Sequence, residues 1–212
     1  MLDATTSETY NGLAYRIIPD NDPMNPRKEY DNVGRMICHH GRYTLGDEHD
    51  YRDPMDFLNT LNQSYNQEAD DFDNMGEAIE NLDKLPIIAL PLFLYDHSGI
   101  TMSCAPFSCP WDSGQVGFIY VPLERARHEW PRNEDEDDAA WRQRVESYLR
   151  NEVKVYDQYL TGDVYGYIVY DGSSAVDDDD NDAEELDSCW GFFGEDSAIE
   201  AAKEYIDATT QP

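Results

Sequence analysis

Basic residues are scarce in this chain: 15 lysines and arginines stand against 45 aspartates and glutamates, which leaves a formal net charge of −30 over 212 residues. So few cations cannot offset these acids along a phosphate backbone, and the sequence therefore argues against direct binding of nucleic acid. The chain also lacks a P-loop and a GxGxxG turn, so we expect no nucleotide cofactor and no other cofactor. A charge of this size instead favours a cationic partner.

Long apolar runs are also missing. No stretch approaches the roughly 20 apolar residues that span a bilayer, so we expect no membrane partner. The first ten residues hold neither a basic region nor an apolar segment. We therefore expect no secretory signal and a cytoplasmic location. The content of 40% hydrophobic and 12% aromatic residues is nevertheless high enough to predict a folded core.

Cysteine is rare and scattered, which excludes a disulfide scaffold and favours buried free thiols. The four cysteines are Cys38, Cys104, Cys109 and Cys189. One segment does contain metal-ligand residue types, namely Cys38, His39, His40, Asp47, His49 and Asp50. Since it has no paired CxxC or HxxxH spacing, we predict no metal site there.

The acids are unevenly distributed along the chain. Residues 1–85 carry 18 acids and 7 bases, residues 86–130 carry 4 and 2, and residues 131–212 carry 23 and 6. We therefore predict an acidic N-terminal segment over 1–85, with two helices packed on the core. Residues 86–212 are predicted to form an α+β core with acidic loops.

Apolar runs bounded by turn residues predict short strands. They lie at 12–18, 33–38, 86–95, 100–104, 116–121, 164–170 and 186–193. Short links between successive strands favour antiparallel pairing. We predict an α+β fold with a mainly antiparallel central sheet of about five strands and helices packed on it. Pro91 predicts a break or an edge in the strand over 86–95.

Helical spacing of apolar residues predicts five helices. They are a helix starting at Pro54 with Asp53 as its cap, one over 72–82 with Met75, Ile79 and Leu82 inward, one over 123–130, a long one ending before Gly162, and one over 198–206. In the long helix the residues at helical spacing are Trp141, Val145, Tyr148, Leu149, Val153, Tyr156 and Leu160.

Four stretches resemble a family of small proteins encoded by phages and plasmids. They are the HSG turn at His97–Gly99, PFSCPWDSGQVGFIY at Pro106–Tyr120, DQYLTGDVYG at Asp157–Gly166 and DSCWGFFG at Asp187–Gly194. The resemblance covers roughly residues 86–205 and carries over no catalytic residues. It implies a protein of a mobile element, where functions directed against host defence are common.

A nucleophilic set is conceivable in the second of these stretches. Cys109 lies near Asp112, and His97 on the adjoining turn completes a thiol, imidazole and carboxylate. However, Pro110 lacks the N–H that the residue after a nucleophile normally offers to an oxyanion. We therefore favour an architectural loop, with Trp111 buried and with Asp112 and Ser113 hydrogen-bonding the turn. A small cysteine-dependent enzyme remains an alternative.

The acidic runs lead to the main functional hypothesis. Rows of carboxylates on a folded protein can imitate the phosphates that DNA-binding proteins contact with Arg and Lys. The predicted partner-binding acids are Asp70, Asp71, Asp73, Glu77 and Glu80; Glu134, Asp135, Glu136, Asp137 and Asp138; and Asp177, Asp178, Asp179 and Asp180. On a helix, Asp73, Glu77 and Glu80 would share one face.

The sequence therefore predicts a non-enzymatic inhibitor of DNA-mimic type. Its expected partner is the basic surface of a nucleic-acid-binding host protein, such as an anti-restriction or anti-CRISPR target. A competing interpretation is a salt-adapted viral accessory or structural protein without mimicry. The chain has 4 lysines against 11 arginines and 28 aspartates against 17 glutamates, a bias that adaptation to molar salt also produces.

Overall fold

The computed structural model describes residues 4–82, 84–172 and 184–210. Within those ranges the chain forms six helices and eight strands, and the strands pair antiparallel in two four-stranded sheets. In chain order the elements are β1 (Thr6–Tyr10), β2 (Leu13–Pro19), α1 (Pro26–Glu29), β3 (Arg35–Cys38), α2 (Pro54–Tyr65), α3 (Met75–Leu82), β4 (Ile87–Asp96), β5 (Ile100–Ser103), β6 (Ser113–Pro122), α4 (Leu123–Glu129), α5 (Asp138–Thr161), β7 (Val164–Tyr170), β8 (Glu185–Phe193) and α6 (Glu195–Thr210).

The predicted α+β class with antiparallel pairing is confirmed, and the strands are shared between two sheets instead of forming one of about five. The sheet orders are β1-β2-β7-β8 and β3-β6-β4-β5. Strand β1, with the sequence TSETY, has only one large apolar side chain and therefore gives no strand signal. It is present because it pairs with β2 along its whole length.

The chain divides into two compact units, Met1–Pro26 with Gln158–Pro212, and Arg27–Asp157. The acidic segment predicted over 1–85 is shared between them. Strands β1 and β2 belong to the first unit, whereas β3, α2 and α3 belong to the second.

In the first unit, one face of the sheet packs against α6. Alternate residues of β2 and β7 supply Tyr15, Ile17, Tyr167 and Val169 to this core. Helix α6 supplies Ala198, Ala202 and Ile206, which are spaced four residues apart and therefore lie on one helical face. The strand predicted over 164–170 and the helix predicted over 198–206 are confirmed, the helix being longer at both ends.

In the second unit, β4 lies between β6 and β5. It pairs with β6 from Ile87 to Tyr95, but β5 covers only Phe93–Asp96. Pro91 therefore lies where β4 has a strand partner on one side only, which suits a residue without an N–H. The predicted edge at Pro91 is confirmed.

Helices α2 and α3 pack on the same sheet. Asp53 caps α2 by accepting a hydrogen bond from the Asp56 N–H at 2.8 Å, and Pro54 follows at the first helical position, as predicted. Helix α3 begins at Met75, three residues later than predicted, because the Asn74 side chain accepts from the Glu77 N–H and so caps the helix there. The core cluster under these helices contains Ile37, Phe57, Leu58, Leu61, Ala78, Ile87, Phe118 and Tyr120.

The inward face predicted for α3 is partly wrong. Ala78 is its fully buried residue, whereas Ile79 is 42% exposed. Met75 and Leu82 pack against the core cluster, as predicted. Met75, Ala78 and Leu82 are spaced three and four residues apart and form the inward face of this eight-residue helix, which excludes Ile79.

The long helix α5 buries the predicted face. Its fully buried residues are Trp141, Val145, Leu149, Val153 and Tyr156. Tyr148 is an exception, because its ring lies 4.8 Å from that of Trp130 near the surface. Across the described ranges, every helix is too short or too polar to cross a lipid bilayer.

A buried arginine connects α5 to the segment around β3. The Arg27 side chain binds both carboxylate oxygens of Asp47, at 2.8 Å from Nε and 2.7 Å from Nη2, and its Nη1 lies 2.8 Å from Glu152 of α5. Glu152 also accepts from the Gly34 N–H and Asp47 from the Met36 N–H. The network fixes the start of the segment between β3 and α2 that carries the histidines discussed below.

Candidate functional site

An open cleft of about 460 Å³ lies between the end of α2 and helix α3. Its lining combines carboxylates, side-chain amides and aromatic rings, which include Asp70, Asp71, Glu77, Asn62, Asn66, Asn81, Tyr65 and Phe72. Lys84 also lines it, with its ammonium 2.6 Å from the Asn81 side-chain oxygen. Carboxylate and amide oxygens are acceptors that suit a cationic side chain, and an aromatic ring is a further favourable neighbour for one.

Hydrogen bonds hold these acids in place. Asp71 accepts from the Gln63 side chain at 2.8 Å, and Glu77 accepts from the Asp73 N–H at 2.9 Å. The Phe72 N–H donates to the Asn59 side chain of α2 at 2.9 Å, which ties the connecting loop to that helix. The carboxylates therefore lie on a supported surface.

The helical row predicted from Asp73, Glu77 and Glu80 is wrong in one member. Asp73 precedes α3, because that helix begins at Met75. Glu77 and Glu80 are exposed on α3, but only Glu77 lines the cleft. The cleft therefore unites Asp70, Asp71 and Glu77 of the first predicted group.

Most carboxylates of the second predicted group form hydrogen bonds or ion pairs at the start of α5. It consists of Glu134, Asp135, Glu136, Asp137 and Asp138. Glu136 lies 2.6 Å from Arg144, and hydrogen bonding from this guanidinium lowers the pKa of Glu136 to about 2. Asp137 caps the helix by accepting from the Ala140 N–H at 2.8 Å, and Asp138 pairs with Arg142 at 3.1 Å. These three carboxylates therefore have structural partners.

The three predicted groups differ in what they offer a partner. Asp177, Asp178, Asp179 and Asp180 lie outside the described residues. Glu134 and Asp135 are exposed, and no ion pair involving either is found in the described part of the chain. The α2–α3 cleft is thus the place where predicted acids converge on one concave surface.

The thiol, carboxylate and imidazole of the cysteine-enzyme alternative do lie close together in the structure. The Cys109 Sγ lies 3.6 Å from Asp112 Oδ2, and the His97 Nδ1 lies 3.3 Å from the same oxygen. These contacts place the carboxylate between the thiol and the imidazole. A nucleophilic triad requires the imidazole in the middle, where it removes the proton of the nucleophile. The contacts therefore do not form the relay that the enzyme hypothesis needs.

The prediction that Trp111 is buried is wrong. Its side chain is 91% exposed, although the turn that carries it forms as expected, with the Ser113 hydroxyl donating to the Cys109 carbonyl at 2.5 Å. The packing position is taken by Phe107 of the same loop, whose ring lies 5.7 Å from that of Tyr95 in β4. Trp111 therefore projects outward.

The residues with metal-ligand chemistry line an open cleft of about 700 Å³. His39 Nε2 lies 3.2 Å from the Tyr51 carbonyl and His49 Nε2 lies 2.9 Å from the Cys38 carbonyl. Because carbonyl oxygens only accept, each of these nitrogens carries the ring proton. Burial raises the pKa of the Cys38 thiol to about 12. Within the described ranges, no three His, Cys, Asp or Glu side chains are arranged to hold a metal ion.

The sequence does not predict two features of the unit Arg27–Asp157. The Arg27 network joins residues more than 100 positions apart, and no local pattern marks them as partners. The exposure of Trp111 is equally hidden, because an aromatic residue in a Pro-Trp-Asp-Ser-Gly turn gives the same signal whether it packs or projects. In contrast, the acids of the α2–α3 cleft are detectable as a local charge run.

Comparison with protein-family models, with curated proteins and with solved structures finds no match for this chain.

Proposed function

We propose that this protein is a non-enzymatic binder of a basic protein surface, made by a virus or other mobile element and acting in the host cytoplasm. Its proposed partner is the DNA-binding component of a host defence system, of restriction or CRISPR type. The protein occupies the DNA-binding surface of that component, and DNA is excluded. This setting is an expectation from the sequence alone, based on the resemblance of residues 86–205 to phage and plasmid proteins.

The observation that carries the proposal is the α2–α3 cleft. Asp70, Asp71 and Glu77 converge there with amide oxygens and the ring of Tyr65. A DNA-binding surface presents Arg and Lys side chains that are spaced to meet phosphates. The cleft offers such a side chain a carboxylate lining and a partly exposed aromatic ring, which a neutral groove would not.

The charge of the rest of the molecule supports long-range attraction. Several cations are already paired inside the chain, among them Arg27 with Asp47, Arg52 with Asp56 and Arg144 with Glu136. Internal pairing leaves the net charge of −30 unchanged. A field of this sign steers a cationic partner toward the protein and repels DNA.

Inhibition of DNA cleavage tests the proposal. Purified protein is added to restriction and CRISPR effector nucleases with a duplex substrate, at 0.1 M and 0.5 M salt. We expect competitive inhibition that weakens steeply with salt, because screening shortens the range of the attraction. Protein that leaves cleavage unaffected at both salt concentrations, in every effector class, would overturn the proposal.

Matched neutral variants locate the contact. Asp70→Asn, Asp71→Asn and Glu77→Gln together remove three charges but keep acceptor oxygens for the local hydrogen bonds. Asp196→Asn, Glu200→Gln and Glu204→Gln remove three exposed charges that belong to none of the predicted partner-binding groups. We expect the first set to weaken inhibition at least ten-fold and the second less than three-fold. Equal effects would contradict a role for the cleft and leave only general electrostatics.

A further inference from the structure

A second cleft, of about 420 Å³, lies beside Trp111 in the unit Arg27–Asp157. Its lining includes Trp111, Asp96, Asp112 and Arg42. The site thus combines an aromatic ring, two carboxylates and a guanidinium. None of these side chains belongs to the α2–α3 cleft.

Trp111 is exposed on a loop that is held in place. The Asp96 N–H donates to the Asp112 carbonyl at 2.8 Å, and the Ser113 hydroxyl donates to the Cys109 carbonyl. Ordinary packing buries a tryptophan, because its ring is the largest apolar side chain, whereas interfaces use exposed tryptophans as anchors. A loop whose backbone is held in this way loses little backbone entropy when a partner contacts the tryptophan that it carries.

The carboxylate side of the cleft already receives a guanidinium from its own chain. Arg42 Nη1 lies 3.5 Å from Asp96 Oδ2, and the Arg42 side chain is 73% exposed. The Tyr43 hydroxyl donates to the other oxygen of Asp96 at 3.3 Å. An exposed pair of this length contributes little stability and exchanges readily. Arg42 therefore shows which chemical group the cleft accepts, without blocking it permanently.

We infer that this cleft receives an arginine side chain of the partner, which lies over the Trp111 ring and pairs with Asp96 and Asp112. Arginine fits better than lysine, because its planar guanidinium both stacks on an indole and binds carboxylates through two parallel hydrogen bonds. The inference rests on the proposed function, which supplies a basic partner. It adds the anchor residue and the side chain that the anchor recognises.

The test uses a small probe, the blocked tripeptide Gly-Arg-Gly, with its lysine and citrulline counterparts. Binding is followed through the indole N–H signals of ¹⁵N-labelled protein, with the Trp111 signal assigned by Trp111→Phe. We expect a saturable shift of that signal with the arginine peptide, a smaller one with lysine and none with the neutral citrulline. The buried indole of Trp141, which donates to the Trp130 carbonyl at 2.7 Å, serves as an internal control and should not shift.

Charge variants distinguish specific binding of arginine in the cleft beside Trp111 from general attraction of a cationic peptide to an anionic protein. Arg42→Ala removes the internal competitor and should tighten binding of the arginine peptide at least three-fold. Arg132→Ala removes an equal charge from another exposed position and should change it less than 1.5-fold. Asp96→Asn should weaken binding at least three-fold. Equal gains for the two arginine variants, or equal shifts for arginine and citrulline peptides, would overturn the inference.

Nuclease inhibition distinguishes failure of the inference from failure of the proposed function. If Trp111→Leu inhibits cleavage as well as the unchanged protein does, Trp111 is not the anchor and the proposed function stands. If the peptide binds as expected but no effector is inhibited, the arginine site beside Trp111 stands and the proposed partner class is wrong. Circular dichroism of each variant establishes that it is folded.

Discussion

Arg27 and Asp47 form a two-point ion pair in which the guanidinium is almost completely enclosed, with only 8% of the residue exposed. The remaining guanidinium N–H groups are directed at Glu152 and at the Gly34 carbonyl, 2.7 Å away. The charge is therefore buried together with its neutralising partners. Removing one member would leave the others without compensation in a poorly solvated place.

We predict a large loss of stability for Arg27→Met. Breaking a buried ion pair from one side typically costs about 3–5 kcal/mol, because an unpaired charge remains. Chemical denaturation followed by circular dichroism measures the change. Arg52→Met, which removes an exposed pair with Asp56, serves as the control and should have a much smaller effect. Similar losses for both variants would contradict the structural importance of the buried network.

Local signals in the sequence locate most elements of this fold. Asp53 followed by Pro54 predicts the start of α2, because a cap and an N-terminal proline act within one turn of the chain. The pairing of β2 with β7 is different, since it joins residues about 150 positions apart. Alternating apolar residues predict that both are strands but contain no information about which sheet each one joins. The division into two sheets could not be predicted for this reason.

Lowering the pH should remove the contribution that the Glu136 carboxylate makes to the stability of the folded protein. Its pKa is lowered from 4.5 to about 2 by hydrogen bonding from Arg144, so the charged form is favoured in the folded protein. A carboxyl with a lowered folded pKa stabilises fully above its ordinary value and loses that contribution as the pH falls to the folded value. We expect the difference in Tm between the unchanged protein and Glu136→Gln to be largest above about pH 4.5 and to shrink toward pH 2.

Glu134 provides the comparison for that experiment, because it is an exposed neighbour in the same patch. Glu134→Gln removes an exposed charge without an ion pair among the described residues, so at pH 6 it should change Tm less than Glu136→Gln does. A Glu136→Gln difference as large at pH 2.5 as at pH 6 would contradict the assigned pKa. Differential scanning fluorimetry at four pH values is sufficient.

Thiol alkylation tests the enzyme alternative. Burial raises the pKa of Cys38 to about 12, so iodoacetamide at pH 8 should leave it unmodified until the protein unfolds. Exposed Cys189 should react first. Because the Cys109 thiol contacts Asp112, we expect His97→Ala to change the rate at Cys109 less than two-fold. Rapid modification of Cys109 alone that disappears in His97→Ala, measured by peptide mass spectrometry, would instead favour a cysteine enzyme.

Thermal stability should rise with salt. The net charge of −30 repels itself in the compact state, and the screening length falls from about 10 Å at 0.1 M to about 3 Å at 1 M. We expect a folded protein at 0.15 M salt whose Tm increases by several degrees in 1 M potassium chloride. A protein that folds only in molar salt would support the salt-adapted alternative and count against a competitor in an ordinary cytoplasm. A constant Tm would contradict both.

The sequence predicts which acidic residues the candidate site contains, but not how they come together in one cleft. The acids at 70–77 form a local run, and their convergence depends on how the loop folds back on α2 through Asn59 and Phe72. Whether a carboxylate is available to a binding partner also depends on whether a residue elsewhere in the chain already pairs with it. Glu136 is adjacent in sequence to the exposed Asp135, yet its pairing with Arg144 sets it apart. Charge counting treats the two residues as equivalent.

The exposure of Trp111 gives the protein an optical reporter on its own surface. An indole in water emits at longer wavelength than one enclosed like Trp141, which is 1% exposed. Caesium should quench the emission of Trp111 more strongly than iodide, because the anionic surface concentrates cations and excludes anions. Arrival of a cationic partner should shift this emission to shorter wavelength and shield it from caesium. Trp190 is also exposed, at 43%, so the fluorescence of a Trp190→Phe variant follows occupation of the cleft without that second surface signal.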